Sequence, residues 1–225
     1  MTRRWLVVVG AVVLALIAVV VVAASDGERP RSQASGADGS QPVVAFIGDS
    51  WTAGTGASDG PGYAERTIDQ LGWHGHVLGV GGSGYVAPGP EQPFAGRIRP
   101  ALDAEPDVVV VQGSINDTAT DVATLAAAAM RTLERLAREA APGTRFLVLG
   151  ASHTPGTTAE AVDGINAAVA AAAASAGLMF VDPAAENWTD PADPAIWADP
   201  WHPNDLGHQR VADRLAPLLR EIAGG

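Results

Sequence analysis

The sequence contains no cysteine and no lysine. The first absence excludes disulfides, cysteine metal sites, a cysteine nucleophile and a lipid-modified N-terminal cysteine. It leaves an oxidising compartment open. Positive charge is scarce too: 14 basic residues, all arginine, stand against 25 acidic ones, for a formal net charge of −11. Binding to phosphate backbones needs a basic face, so this balance argues against nucleic acid as a partner. The acidity suits solubility and a neutral ligand. No internal repeat is present.

The 225 residues, 47% of them hydrophobic, leave room for one ordinary domain with a real core plus one apolar segment. That segment is Trp5 to Ala24, 20 residues without a charge, enough to span a bilayer. Arg3 and Arg4 precede it and belong on the cytoplasmic side, so the rest of the chain is expected outside. Residues 1–24 therefore read as a transmembrane anchor. A cleaved signal peptide ending near Val22-Ala23-Ala24 is the alternative, although the run exceeds a usual signal core. Both readings export the domain. Residues 25–41 (SDGERPRSQASGADGSQ) have no hydrophobic periodicity and read as a flexible linker. The folded domain is then 42–225.

Within it, short apolar runs at Val43–Ile47, His76–Val80, Val108–Gln112, Arg145–Leu149 and Leu178–Val181 resemble strands buried on both faces. Helical stretches are expected at Gly62–Leu71, Asp121–Ala140, Thr157–Ala176 and Asp205–Ile222. The alternation predicts an α/β fold: a three-layer α/β/α sandwich on a five-stranded parallel sheet of flavodoxin-like order 2-1-3-4-5. In such sheets sites collect beyond the carboxyl ends of the strands. Four polar clusters come after strands there: Gly48-Asp49-Ser50, Gly81-Gly82-Ser83-Gly84, Gly113-Ser114-Ile115-Asn116-Asp117, and the segment DPWHPNDLGH from Asp199 to His208.

Each cluster has a bland reading and a chemical one. Asp49 and Ser50 can cap the next turn. Alternatively, Ser50 stands at a helix start where backbone N–H groups favour a developing anion. The run Gly79 to Gly84 matches G-x-G-x-x-G, but Pro88, Pro90 and Pro93 forbid the helix that a dinucleotide fingerprint must open. It reads as a tight turn, or as a loop whose bare N–H groups approach a reacting centre. Asn116 can donate its side-chain amide to an oxyanion or form an Asx-turn, with Asp117 and Thr118 opening the next helix.

The final segment holds two overlapping Asp-x-x-His pairs. His208 lies three residues before Val211 and seven before Leu215, so it shares the core-facing side of the last helix, and Asp205 sits at that helix's start. This pair reads as packing and cap. Pro200 and Pro203 keep Asp199 and His202 out of helix. An irregular loop there can lay a carboxylate on imidazole Nδ1 and leave Nε2 free, the orienter–base relation that a serine nucleophile needs. His74 and His76 fall at the wrong edge of the sheet, and His153 lacks a carboxylate three residues earlier. Asp190, Asp193 and Asp199 with His202 offer metal-ligand chemistry, but alternating Asp and Pro suit a stiff solvated loop better. No metal or other cofactor is expected.

Together FIGDSWTAG (Phe46–Gly54), GVGGSGY (Gly79–Tyr85), GSIND (Gly113–Asp117) and DPWHPND (Asp199–Asp205) resemble the blocks of the SGNH hydrolases, the GDSL-type esterases and lipases, in the family's order. The third block carries one extra residue. The resemblance implies Ser50 as nucleophile, His202 as general base and Asp199 as its orienter. It also implies an oxyanion hole of the Ser50 N–H, the Gly82 N–H and the Asn116 side chain, with Gly81 and Gly84 as alternatives to Gly82. The implied reaction is hydrolysis of a lipid, glycan or small-molecule ester through an acyl-enzyme. Acyl transfer at the same site, or a non-catalytic carbohydrate-binding or envelope-scaffold protein on the same fold, are the alternatives. Trp51 beside the serine and Trp188, Trp197 and Trp201 around the last block can wall a substrate site or simply pack the loop.

Overall fold

The computed structural model describes residues 41–224 apart from Asp59. The expected anchor or signal segment at 1–24 and the linker up to residue 40 lie outside these residues. Among the described residues no helix is long and apolar enough to cross a membrane.

Five strands, β1 (Val43–Gly48), β2 (His74–Gly79), β3 (Val108–Gln112), β4 (Arg145–Leu149) and β5 (Met179–Val181), form one sheet. Every pairing is parallel and the order is β2-β1-β3-β4-β5. The α/β/α sandwich and the 2-1-3-4-5 order are as the alternation of strand and helix predicts. The central strands feed both faces. Ala45, Ile47, Val109, Val111 and Val148 pack on one side, against helices α2 (Ile98–Leu102), α3 (Val122–Glu139) and α4 (Ala159–Ser175). Val44, Phe46, Val108, Val110 and Leu147 pack on the other, against α1 (Tyr63–Leu71) and α5 (Asp205–Gly224). Alternate residues of a strand point to opposite faces, so an unbroken valine run at 108–111 supplies both cores.

Local chemistry sets the helix ends. Asp121 accepts the Thr124 N–H before α3, and Thr158 accepts the Ala161 N–H before α4. Two differences from expectation have simple causes. Strand β2 starts at His74, because Val43 pairs with His74 and Val44 with Gly75; β2 is an edge strand, where exposed imidazoles are tolerated. A 3₁₀ turn at Phe94–Arg97 running into α2 was not expected from so proline-rich a segment. It begins directly after Pro93, and Pro100 falls in the first turn of α2, where no intrahelical N–H is lost.

Candidate active site

Ser50 stands in the turn after β1, and its Oγ lies 3.0 Å from His202 Nε2. His202 Nδ1 lies 2.8 Å from Asp199 Oδ2. The carboxylate can only accept, so Nδ1 carries the proton and Nε2 is left to receive one from the serine hydroxyl. The second Asp199 oxygen accepts the backbone N–H of Trp201 at 2.7 Å and of His202 at 2.8 Å. Partial burial pushes the Asp199 carboxyl up, but the His202 ring and the two N–H groups outweigh this and hold it below its ordinary value. The loop is closed on itself: Ala198 N–H donates to the His202 carbonyl, and Asn204 N–H to Ile196. An irregular segment between two prolines thus presents one acid–base pair in one orientation.

A cavity of about 610 Å³ opens above Ser50. The loops after β2 and β3 form one wall, with Gly81, Gly82, Ile115, Asn116 and Thr118. The loops after β4 and β5 form the other, with Gly156, Thr157, Trp201 and His202. Asn116 donates one amide hydrogen to the Ser83 carbonyl at 2.9 Å, and the amide carries a second. Gly82 has φ of +73°, a left-handed conformation that suits glycine. Of the three candidate glycines, Gly84 drops out, because its N–H is donated to the Ala87 carbonyl. Among the described residues, no acidic or second basic side chain joins His202 on the walls.

The other expected residues lie elsewhere. Trp51 is not a wall of this cavity. Only 4% exposed, it packs edge-on against Trp197 and donates its indole N–H to the Trp201 carbonyl. A large ring next to Ser50 gains more from burial beneath the loop than from facing water. Trp188 is also buried, with its indole N–H on Glu186. His208 is fully buried. Its Nδ1 accepts the Tyr63 N–H and its Nε2 faces the Thr55 carbonyl. Asp205 is not the cap of α5: Asn204 Oδ1 takes the Leu206 and Gly207 N–H groups, while Asp205 binds Ser58 and Arg66. His153 pairs with Asp163. Asp190 accepts the Ala192 N–H, and Asp193 accepts the Ala195 N–H and pairs with Arg210. Among the described residues no group of three or more His, Asp or Glu is placed to hold a metal.

A family described as GDSL-like lipase/acylhydrolase matches residues 46–210. The chain belongs to this family. A GDSL lipase of Mycobacterium tuberculosis is 34% identical over 192 residues, covering 80% of this chain and 83% of that one. Among solved structures, a protein of Lactobacillus plantarum superposes with a TM-score of 0.68 at 24% identity, covering 81% of this chain and 98% of that one. A carbohydrate acetylesterase of Sinorhizobium meliloti gives 0.64 at 15%, with 80% and 99% covered. At such identities these structures speak for the fold. The protein is an ester-hydrolysing SGNH serine hydrolase.

Around the GDSL-type serine, three buried charged groups do more than the sequence suggests. Asp49 Oδ1 accepts the Trp51 N–H and so shapes the turn that presents Ser50. Burial pushes the Asp49 carboxyl up to about 6, against the pull of that N–H, of Ser114 and of His202. Asp117, read from sequence as the opening of a helix, instead accepts the N–H groups of Tyr85, Val86 and Ala87 at 2.7, 3.1 and 2.8 Å. It pins the glycine loop to the end of β3 across 30 residues of chain. Arg97, only 4% exposed, donates through Nη2 to the Gly48 carbonyl at 3.1 Å and to Ser83 Oγ at 2.9 Å. It ties the end of β1 to the same glycine loop. The only sequence signal for Asp117 was its place in the GSIND block; an arginine among prolines carried none.

Proposed function

We propose that this SGNH hydrolase cleaves a carboxylic ester of a neutral compound, with Ser50 as nucleophile, His202 as general base and Asp199 as its orienter. The observation that carries this reading is the unbroken chain from Ser50 Oγ to His202 to Asp199 at 3.0 and 2.8 Å. His202 Nε2 takes the Ser50 proton as Oγ attacks the ester carbonyl. The resulting oxyanion is held by the N–H groups of Ser50 and Gly82 and by the free amide hydrogen of Asn116. As the tetrahedral intermediate collapses, the ester C–O bond breaks and His202 returns its proton to the departing alkoxide. Water, activated by the same imidazole, then cleaves the acyl-enzyme. The neutral walls of the cavity support a neutral substrate.

We propose further that the domain works outside the cytoplasm, held at or released from the membrane by residues 1–24. A reporter fused after Gly225 that is active only in the cytoplasm overturns this part. The catalytic part is tested with a fluorophosphonate probe and a p-nitrophenyl ester panel from acetate to palmitate. Ser50→Ala is expected to lose both labelling and turnover. Asn116→Ala is expected to keep measurable activity at about 10²–10³ below wild type in kcat, the usual effect of one lost oxyanion donor. Wild-type activity in Ser50→Ala ends the proposal.

A further inference from the structure

The cavity is asymmetric, and the acyl-enzyme chemistry dictates which half holds which part of the substrate. The carbonyl oxygen must sit among the donors of the wall built from Gly82 and Asn116. The leaving oxygen must come within hydrogen-bond reach of His202 Nε2, which protonates it. The alcohol therefore extends along the opposite wall, which Trp201, Gly156 and Thr157 line together with His202.

Trp201 is unusual on that wall. Among the described residues it is one of few large hydrophobic side chains left exposed, at 48%, whereas Trp51 and Trp188 are buried. Its backbone is nonetheless held on three sides. Its N–H is donated to Asp199, its carbonyl accepts the Trp51 indole N–H at 2.9 Å, and the preceding Pro200 carbonyl accepts the Gly156 N–H at 2.7 Å. The indole lies against Gly156 so closely that a Cβ there would come within 2.3 Å of Nε1. A β-carbon at 156 would displace the ring, so glycine is what lets it lie against this turn. A rigid aromatic face left in water costs hydration and gains nothing for the fold, whereas a pre-ordered face binds a flat partner with little entropy loss.

Resting on the catalytic role of Ser50 and His202, we propose that Trp201 is the platform for the alcohol part of the substrate, and that this alcohol carries a ring, a pyranose or an aryl group, whose face stacks on the indole. A consequence separates this role from a general structural one. Acylation forms the Ser50 Oγ–acyl bond and releases the alcohol, so the acyl-enzyme no longer contains the part that Trp201 touches. Loss of the indole slows acylation by esters of ring alcohols and spares hydrolysis of the acyl-enzyme.

The test uses the full chain as wild type, Trp201→Ala, Trp201→Phe and Ser50→Ala. The substrates share one acyl group: phenyl acetate, a mono-acetylated methyl xylopyranoside and ethyl acetate. Each variant is compared with wild type on the same substrate, and acetyl-enzyme breakdown is read from the p-nitrophenyl acetate burst. Trp201→Ala is expected to lose roughly tenfold in kcat/KM on the ring esters, the scale of one aromatic stacking contact. Ethyl acetate and acetyl-enzyme breakdown are expected to move less than about twofold, and Trp201→Phe to recover most of the loss. The ring arm that loses more distinguishes a sugar from an aryl alcohol. Equal losses on all three acetates, or slowed acetyl-enzyme breakdown, overturn the platform. Turnover or a burst in Ser50→Ala overturns the catalytic role of Ser50 instead, so the two failures are told apart.

Discussion

Asp199–His202 and Asp205–His208 share a spacing and lie six residues apart, yet the fold uses them in opposite ways. The first pair is bound to itself: His202 and Asp199 meet at 2.8 Å in a loop, with the imidazole turned to Ser50. The second pair is split. His208 faces inward from α5, between the Tyr63 N–H and the Thr55 carbonyl, while Asp205 faces outward to Ser58 and Arg66. In a helix, residues three apart share a face, but the first turn of α5 is capped by Asn204, so Asp205 has no vacant cap to fill. The burial of His208 also sets the charge that it can carry. Burial pushes His208 down to about 4, so it stays neutral across physiological pH. With identical spacing, only backbone conformation and burial separate a pair that reaches Ser50 from one built into the packing.

Substitution at the two histidines tests this contrast most strongly. His202→Ala is expected to lower kcat by about 10⁴–10⁶ with little change in the urea midpoint, since base and nucleophile act as a unit. His208→Ala is expected to lose about 3 kcal/mol of stability by opening a cavity in the core and leaving the buried Tyr63 N–H unpaired, while the folded enzyme keeps most of its kcat. The reverse pattern would mean that the pairs had been assigned the wrong way round. The orienter comes next. Asp199→Asn is expected to reduce kcat on the order of 10²-fold. That is less than the ~10⁴ of a fully buried orienter, because the Asp199 side chain is 44% exposed and water shares its work.

Acidification sharpens the contrast further. His208 has a folded value near 4, below the 6.5 of the unfolded chain. The unfolded state therefore takes up its proton first, and the stability from His208 is complete above about pH 6.5 and lost as pH falls towards 4. Asp49 has the opposite sign: its folded value near 6 exceeds the unfolded 3.8, so its contribution is complete below that value and lost as pH rises through 6. Each amounts to about 3 kcal/mol, and between pH 4 and 6 they oppose each other. Asp49→Asn is expected to steepen the loss of stability on acidification, and His208→Ala to flatten or reverse it, by urea midpoints at about pH 4.5 and 7. Parallel pH profiles in wild type and both variants would refute this balance. The smallest effect belongs to Asp205→Asn. It is expected to leave kcat unchanged and to lower the melting temperature slightly in low salt, because the Asp205 side chain is 43% exposed and water screens its pair with Arg66.

Periodicity and block order carried much of this protein in the sequence itself. Short unbroken apolar runs suit strands covered on both faces, and their alternation with helices points to a parallel sheet, for which the flavodoxin-like order 2-1-3-4-5 was expected and is found. Pro200 and Pro203 kept Asp199 and His202 from joining α5, a local effect needing no knowledge of the rest of the chain. Tertiary structure alone decided what depends on distant partners. It sank Trp51 beneath the loop beside Ser50 while leaving Trp201 exposed, and it sent Asp117 back across 30 residues to hold the Tyr85–Ala87 backbone. It also buried Arg97 between Gly48 and Ser83. Composition and spacing describe a residue's neighbours along the chain. Burial and hydrogen bonding depend on neighbours across it, and these exist only once the five strands have brought their carboxyl ends together.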